Sequence, residues 1–348
     1  DVLWEHREDV EATLFESGGE RDLFNQELDV VFYDLTTLHF ESVNDDPDDG
    51  ELRRFGYSKI HRKDLTQVIL GLLVDRDGVP VGYQLFPGNT YEPHSLPIIL
   101  EKLKTKYHIT RIVLVADRGI ITKENIDELR KAQMDFILGA RLWSMTKVWQ
   151  AEIMDKSKYR PLNKDGTLLI REMEYQSSRL IVTWSRERAE RDAFIREEIV
   201  RKIREQLDKK KPEPKQFVTH KGYRQFLNGL DEGTPVIDEQ AISEAQTRDG
   251  FFGVLTNVAG TTLRDEEIYD RYRDLWRVED AFGEIKGPIQ TRPMFHWIDS
   301  RIQSHVLLCL LTYYVEAILI RDFRKAKSSF TVGEWFRALN EVYAIPVA

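Results

Sequence analysis

Cysteine is nearly absent from this chain: Cys309 is the only one in 348 residues. An intramolecular disulfide is therefore excluded, and a reducing compartment is the expected setting. Cys309 sits in an apolar run and reads as a buried, inert thiol. No signal-peptide pattern is visible, and long apolar runs are missing. The most apolar stretch, residues 305–320, is 16 residues long and carries Thr312 and Glu316. That favours a core helix over a membrane span. The eight histidines, among them His61, His94, His296 and His305, have no zinc-type spacing. There is no glycine-rich phosphate loop, no Gly-x-Ser-x-Gly elbow, no internal repeat and no low-complexity tract.

Surplus basic charge is missing too. Fifty Lys and Arg stand against 59 Asp and Glu, a formal net charge of −9. A protein that holds nucleic acid by charge alone should neutralise phosphates, so the average counts against such a partner. It does not exclude a metal-dependent nuclease, which gathers acid at its centre and basic residues around its groove.

What is present is ordinary in bulk: 41% hydrophobic and 31% charged. The length predicts two domains, or one domain with a large insertion. The chain begins at Asp1 rather than methionine, so a preceding module is expected upstream. Residues 1–27 read as a charged helical segment, the remnant of that module.

Two distant β-branched runs each end on an aspartate: Val30-Val31-Phe32-Tyr33-Asp34 and Ile112-Val113-Leu114-Val115-Ala116-Asp117. Between them, residues 65–74 and 79–86 read as strands joined by a turn at residues 75–78, whose Asp-Gly pair signals a hairpin. Leu96, Ile99, Leu100 and Leu103 have helical spacing. Thr122 caps a helix through about residue 132, and residues 136–138 form a short strand. Strand-strand-strand-helix-strand-helix-strand is the order of a ribonuclease H-like core, with right-handed crossovers.

The expected class is therefore α/β: a ribonuclease H-like mixed sheet flanked by helices. Residues 28–139 form its first part. Residues 140–250 form a large β-containing insertion, with a strand pair at 168–175 and 180–184 and a charged helix at 186–210. Residues 251–348 return to the core through a strand at 251–257, one long helix at about 265–287 and C-terminal helices.

Magnesium takes oxygen ligands and keeps several waters, so one or two carboxylates per ion plus substrate phosphate suffice. Two such ions can steady both the attacking and the leaving oxygen of a phosphodiester. Asp34 and Asp117, on neighbouring strands of the inferred sheet, and Glu279 on the returning helix are the candidate ligands. Singly, an aspartate at a strand end more often caps a helix or closes a turn, and Asp117-Arg118-Gly119 can be read so. Tyr272, Glu279 and Lys286 recur every seven residues and share a helix face. A solvated, salt-bridged face is the competing reading. In the functional one, Glu279 binds metal while Tyr272 and Lys286 grip phosphates. Arg53, Arg54 and Lys59 follow an acidic loop and could meet a DNA backbone, as could Arg201, Lys202, Arg204 and the lysines at 209–211.

At these residues the sequence resembles the DDE transposases of bacterial insertion sequences, in the branch with the signature Tyr-x2-Arg-x3-Glu-x6-Lys. Tyr272, Glu279 and Lys286 match it; Leu275 stands where the arginine should be. Arg273, Arg277 and Arg292 are candidates to replace that arginine. Further blocks share the likeness: Phe32-Tyr33-Asp34-Leu35-Thr36-Thr37, Leu52-Arg53-Arg54-Phe55-Gly56-Tyr57-Ser58-Lys59, Phe86-Pro87-Gly88-Asn89-Thr90, Ala116-Asp117-Arg118-Gly119 and Thr291-Arg292-Pro293-Met294-Phe295-His296. They cover most of residues 28–140 and 251–320.

The resemblance implies a transposase that cleaves double-stranded DNA at transposon ends and joins the freed 3′-hydroxyl to target DNA. It implies Asp34, Asp117 and Glu279 as catalytic ligands of two Mg2+ ions, with Mn2+ able to substitute. It also implies a homodimer in a synaptic complex, working in the cytoplasm of a bacterial or archaeal cell at the nucleoid, with no membrane. In some members a tryptophan of the insertion stacks a flipped base, which makes Trp143, Trp149 and Trp184 candidates. The alternatives are a ribonuclease H-like endonuclease without strand transfer and a catalytically degenerate DNA-binding derivative.

Overall fold

The computed structural model describes residues 2–17, 29–41, 50–57, 64–105, 112–208, 221–230, 235–327 and 332–341. Lys59 and the basic run at 209–215 fall outside the described residues. The chain divides into two compact units, Asp1–Leu138 with Asp270–Ala348, and Gly139–Tyr269.

The first unit opens with helices α1 (Val2–Glu5) and α2 (Arg7–Ser17), then strand β1 (Asp29–His39). β1 is rich in β-branched and aromatic residues, which suit a pleated surface, and its Phe32, Tyr33 and Leu38 are fully buried. Every residue of β2 (Gln67–Val74) is buried, as a nearly unbroken apolar strand requires when both sheet faces are covered. The hairpin to β3 (Pro80–Pro87) forms where the Asp-Gly pair predicts it. Asp75 Oδ1 accepts from the amides of Asp77 and Val79, at 2.8 and 2.9 Å. Gly78 takes the left-handed conformation, φ +84°, which glycine adopts without strain.

Helix α3 (Ser95–Thr105) buries Leu96, Ile99, Leu100 and Leu103, the spacing read from the sequence. β4 (Ile112–Ala116), α4 (Lys123–Lys131) and β5 (Asp135–Gly139) follow, with Thr122 Oγ1 capping α4 through the Asn125 amide at 3.1 Å. β1 is antiparallel to β2 and β2 to β3, while β4 runs parallel to both β1 and β5. The order β3-β2-β1-β4-β5 is the expected ribonuclease H-like sheet. The charged N-terminal helix is tied to it: buried Glu11 accepts from the Tyr83 hydroxyl at 2.8 Å and pairs with Lys102 at 3.7 Å.

The second unit contains α5 (Lys147–Met154), β6 (Arg160–Pro161), β7 (Leu168–Tyr175), β8 (Ser178–Ser185) and α6 (Arg186–Leu207). After these come α7 (Lys221–Arg224), β9 (Leu227–Asn228), β10 (Val236–Ile237), α8 (Glu239–Thr247) and β11 (Phe251–Thr256). β6, β7, β8 and β11 pair antiparallel in that order. β11 pairs with β8, and its Gly253 fits closely against Leu142, where a Cβ would stand 2.4 Å from Leu142 Cδ2. α6 buries Val200 and Ile203 against Phe226 and Leu227. Its buried Arg196 is neutralised by Asp249 at 2.6 Å.

The chain returns through α9 (Asp265–Arg273), α10 (Trp276–Lys286), α11 (Asp299–Lys325) and α12 (Val332–Asn340). One helix was expected over residues 265–287; two are found. At the break, Leu275, Arg277 and Val278 donate to carbonyls three residues back, at 3.1, 3.0 and 3.2 Å. This tighter turn brings residues three apart onto one side, so Tyr272 and Leu275 are both buried. α11 contains the apolar run and the buried Cys309. No helix among the described residues is long and apolar enough to cross a membrane.

Candidate active site

β1 and β4 set the site. Their parallel register pairs Tyr33 with Ala116, so the next residues, Asp34 and Asp117, stand at one level on adjacent strands. Neighbouring strands lie about 4.8 Å apart. Side chains alternate along a strand, so Tyr33 and Asp34 face opposite sides. Asp34 is half-buried and Asp117, just past the end of β4, is exposed.

α9 and α10 supply the remaining groups. The Tyr272 hydroxyl donates to Asp117 Oδ1 at 3.1 Å. Burial first, then the charges of Asp117 and Asp34, push the Tyr272 pKa up, so the hydroxyl stays protonated and can donate. Fourteen positions on, the Lys286 ammonium donates to Thr36 Oγ1. Thr36 is two residues beyond Asp34 and therefore on the same face of β1. Glu279 lies between these two anchors, exposed on α10, whose Val278, Ala281, Phe282 and Ile285 are buried. Among the described residues, no three His, Cys, Asp or Glu side chains stand close enough together to hold a metal ion. Glu279 therefore does not complete a three-carboxylate cluster with Asp34 and Asp117. Those two oxygen-donor side chains, side by side, fit a hard divalent cation.

The Asp117 turn is braced from behind. The buried Asn125 amide donates to Pro93 O at 2.9 Å and to Ile120 O at 2.7 Å. It thus clamps the turn after Asp117 to the 3₁₀ turn before α3. Neither Asn125 nor Thr36 was singled out from the sequence. Thr36 carried a signal, since it shares a strand face with Asp34. Asn125 carried none, because its partners are backbone carbonyls, one of them 32 positions away.

The basic candidates separate by environment. Arg53 is buried: its Nε donates to Thr66 Oγ1 at 2.7 Å and its guanidinium lies 4.3 Å from the Trp297 ring. That removes it from the surface where a DNA backbone could meet it. Arg54 is half-buried and donates to Gly50 O and Arg53 O. Arg292 is exposed. Leu275, at the signature arginine position, is buried, while Arg277 pairs with Asp274 at 3.5 Å and lies over Trp276.

In the second unit, Trp143 meets Phe251 edge-on under the Arg248 guanidinium, and Trp149 meets Tyr175 edge-on. Trp184 donates its indole N–H to Asp249 O at 3.0 Å, with the Lys156 ammonium 3.7 Å from its ring centroid. All three tryptophans are half-buried. On α6, Arg201 is paired with Glu198 and Glu205, and Arg204 with Glu239.

A ribonuclease H-like sheet thus carries two aspartates level on β1 and at the end of β4, with Tyr272 bonded to the second and Lys286 to Thr36, two residues beyond the first. The sequence matches the family model of the transposase DDE domain over residues 27–315, and the chain belongs to that family. DDE transposases generally use divalent metal ions. No curated protein matches the sequence. Among solved structures, the chain is similar to the piggyBac transposase synaptic complex with hairpin DNA, with a TM-score of 0.42 and 10% identity over 91% of this chain and 58% of that one. It is also similar to the Mos1 transposase paired-end complex with left transposon end, with a TM-score of 0.21 and 15% identity over 39% of this chain and 42% of that one. The chain thus spans 58% and 42% of the length of these two.

Proposed function

We propose that this protein cuts double-stranded DNA at transposon ends and joins the freed 3′-hydroxyl to target DNA, with Asp34, Asp117 and Glu279 as its metal-binding carboxylates and Mg2+ as the ion. The observation that carries the proposal is the β1–β4 register, which sets Asp34 and Asp117 level with Tyr272 bound to the second. Divalent ions held there would supply Lewis acidity to the nucleophilic oxygen and to the scissile phosphate. The chain's own groups do the rest. Tyr272 occupies Oδ1 of Asp117 and fixes the orientation of the other oxygen. Lys286, already turned onto the face of β1 that carries Asp34, offers a cation to a phosphate. Glu279, on the exposed side of α10, brings the third carboxylate from the opposing element.

In this reading residues 28–139 and 251–348 carry the catalysis and residues 140–250 are an insertion. Arg54, Lys59 and Arg292 contact backbone phosphates. Trp143, Trp149 or Trp184 stacks a flipped base, two copies hold two ends, and Mn2+ substitutes for Mg2+. The work is done in the cytoplasm of a bacterial or archaeal cell.

The test is strand cleavage and end joining by Asp34→Asn, Asp117→Asn and Glu279→Gln on DNA carrying transposon ends, with Mg2+ or Mn2+. Each variant should keep its far-UV circular dichroism and lose at least about 1,000-fold in rate, about 4 kcal/mol of barrier. Full activity in any one overturns its role. Cleavage without joining of a pre-cut 3′-hydroxyl end to a target plasmid would replace the transposase reading with that of a nuclease.

A further inference from the structure

The segment after α10 carries two exposed aromatic side chains that the catalytic reading does not use. Thr291 is buried and its hydroxyl donates to Ile285 O at 2.7 Å. Met294 is buried and bridges Phe40, just past the end of β1. Asp299, opening α11, accepts from the Glu51 amide at 2.7 Å. Between these anchors the chain turns large side chains outward: Phe295 is 71% exposed and Trp297 43%. The Trp297 ring is not loose, because the Arg53 guanidinium lies 4.3 Å from it, held in turn by Thr66. Arg292 and Arg301 flank the two aromatics, both exposed. Among the described residues, neither has an acidic partner. The carboxylate of this stretch, Asp299, is taken up by backbone amides.

We propose that Phe295 and Trp297, flanked by Arg292 and Arg301, form a platform for single-stranded DNA. The identity of that strand, the one leading away from the cut, rests on the transposase reading. Exposed ring faces take unstacked bases whatever their sequence, and arginines take the phosphates between them. A closed duplex shows phosphates but no base faces, so rings this exposed would find nothing to stack on. The position is also right. Phe40 is six residues beyond Asp34 along β1, about 20 Å at strand rise. That equals about six nucleotides at duplex spacing, and fewer for an extended strand. The platform therefore meets the strand a few nucleotides from the scissile phosphate, where opening of the duplex exposes bases.

The experiment is fluorescence anisotropy of the full chain with a labelled 20-nucleotide oligo(dT) and with a 20-base-pair duplex, over a salt series. Phe295→Ala should weaken oligo(dT) binding about tenfold and leave the duplex unchanged, while Phe295→Trp restores the wild-type value. Arg292→Gln with Arg301→Gln should flatten the salt slope for oligo(dT) by about 1.4, two phosphates' worth. The proposal is overturned if Phe295→Ala binds oligo(dT) like wild type. It is equally overturned if that variant only converts a dimer to a monomer in sedimentation, because the patch is then a protein interface. Cleavage by the wild-type chain is read in parallel. A chain that never cuts DNA but shows the Phe295 dependence keeps the platform and loses the transposase reading. A chain that cuts but shows no such dependence does the reverse.

Discussion

The Tyr272 hydroxyl reaches Asp117 Oδ1 at 3.1 Å across 155 positions of sequence. A hydrogen bond to a charged acceptor contributes about 1.5–3 kcal/mol. Tyr272→Phe keeps the ring and removes only the donor. Cleavage should fall about 10- to 100-fold, with thermal stability little changed and more divalent metal needed for half-maximal rate. Unchanged rates at limiting metal would show that Asp117 needs no such support.

Lys286 joins α10 to β1 through Thr36. Lys286→Met keeps most of the stem and deletes the charge. If the ammonium also serves a phosphate, the variant should lower the salt slope of duplex binding by about 1 and slow cleavage, with its fold intact. A variant that loses stability but keeps its salt slope would make Lys286 a strut between helix and strand.

Asn125 carries two buried hydrogen bonds that hold the turn behind Asp117. Asn125→Ala orphans both carbonyls, at about 1–3 kcal/mol each. Tm should drop by roughly 5–15 °C. Asn125→Asp offers acceptors to two carbonyls and should be no better. Differential scanning calorimetry reads both, and a drop under about 2 °C would count against the clamp.

Four tyrosines, Tyr33, Tyr159, Tyr272 and Tyr313, have pKa values raised above the ordinary 10.0, with burial the largest cause in each. The unfolded chain releases these protons near pH 10 and the folded chain keeps them. Above that pH the folded state holds more protons, so stability falls as pH rises. Tyrosinate absorbance at 295 nm should gain its last component together with the loss of ellipticity. Complete titration before any unfolding would contradict the burial.

Much of this fold is legible in the sequence. The β-branched runs of β1 and β4, the Asp-Gly turn at 77–78 and the Thr122 cap are local signals, and local signals survive because they depend on near neighbours. The break between α9 and α10 was not legible. Nothing in Asp274-Leu275 stops a helix; the turn tightens because Tyr272 and Leu275 both gain burial, a tertiary reward. The fate of Arg53 was equally hidden. A sequence shows a cation after an acidic loop, whereas the fold turns it inward onto Thr66 and Trp297.

The site divides along the same line. Which residues can ligate or donate is chemistry written into Asp34, Asp117, Tyr272, Glu279 and Lys286, and it is read one residue at a time. Which of them meet is a matter of strand register and helix placement, set by pairings over more than 80 positions. Those pairings bring Asp34, Asp117 and Tyr272 into one neighbourhood, while α10 carries Glu279 on its exposed side. The reason is that register and helix placement follow from which faces the whole fold buries, and no short stretch of sequence contains that information.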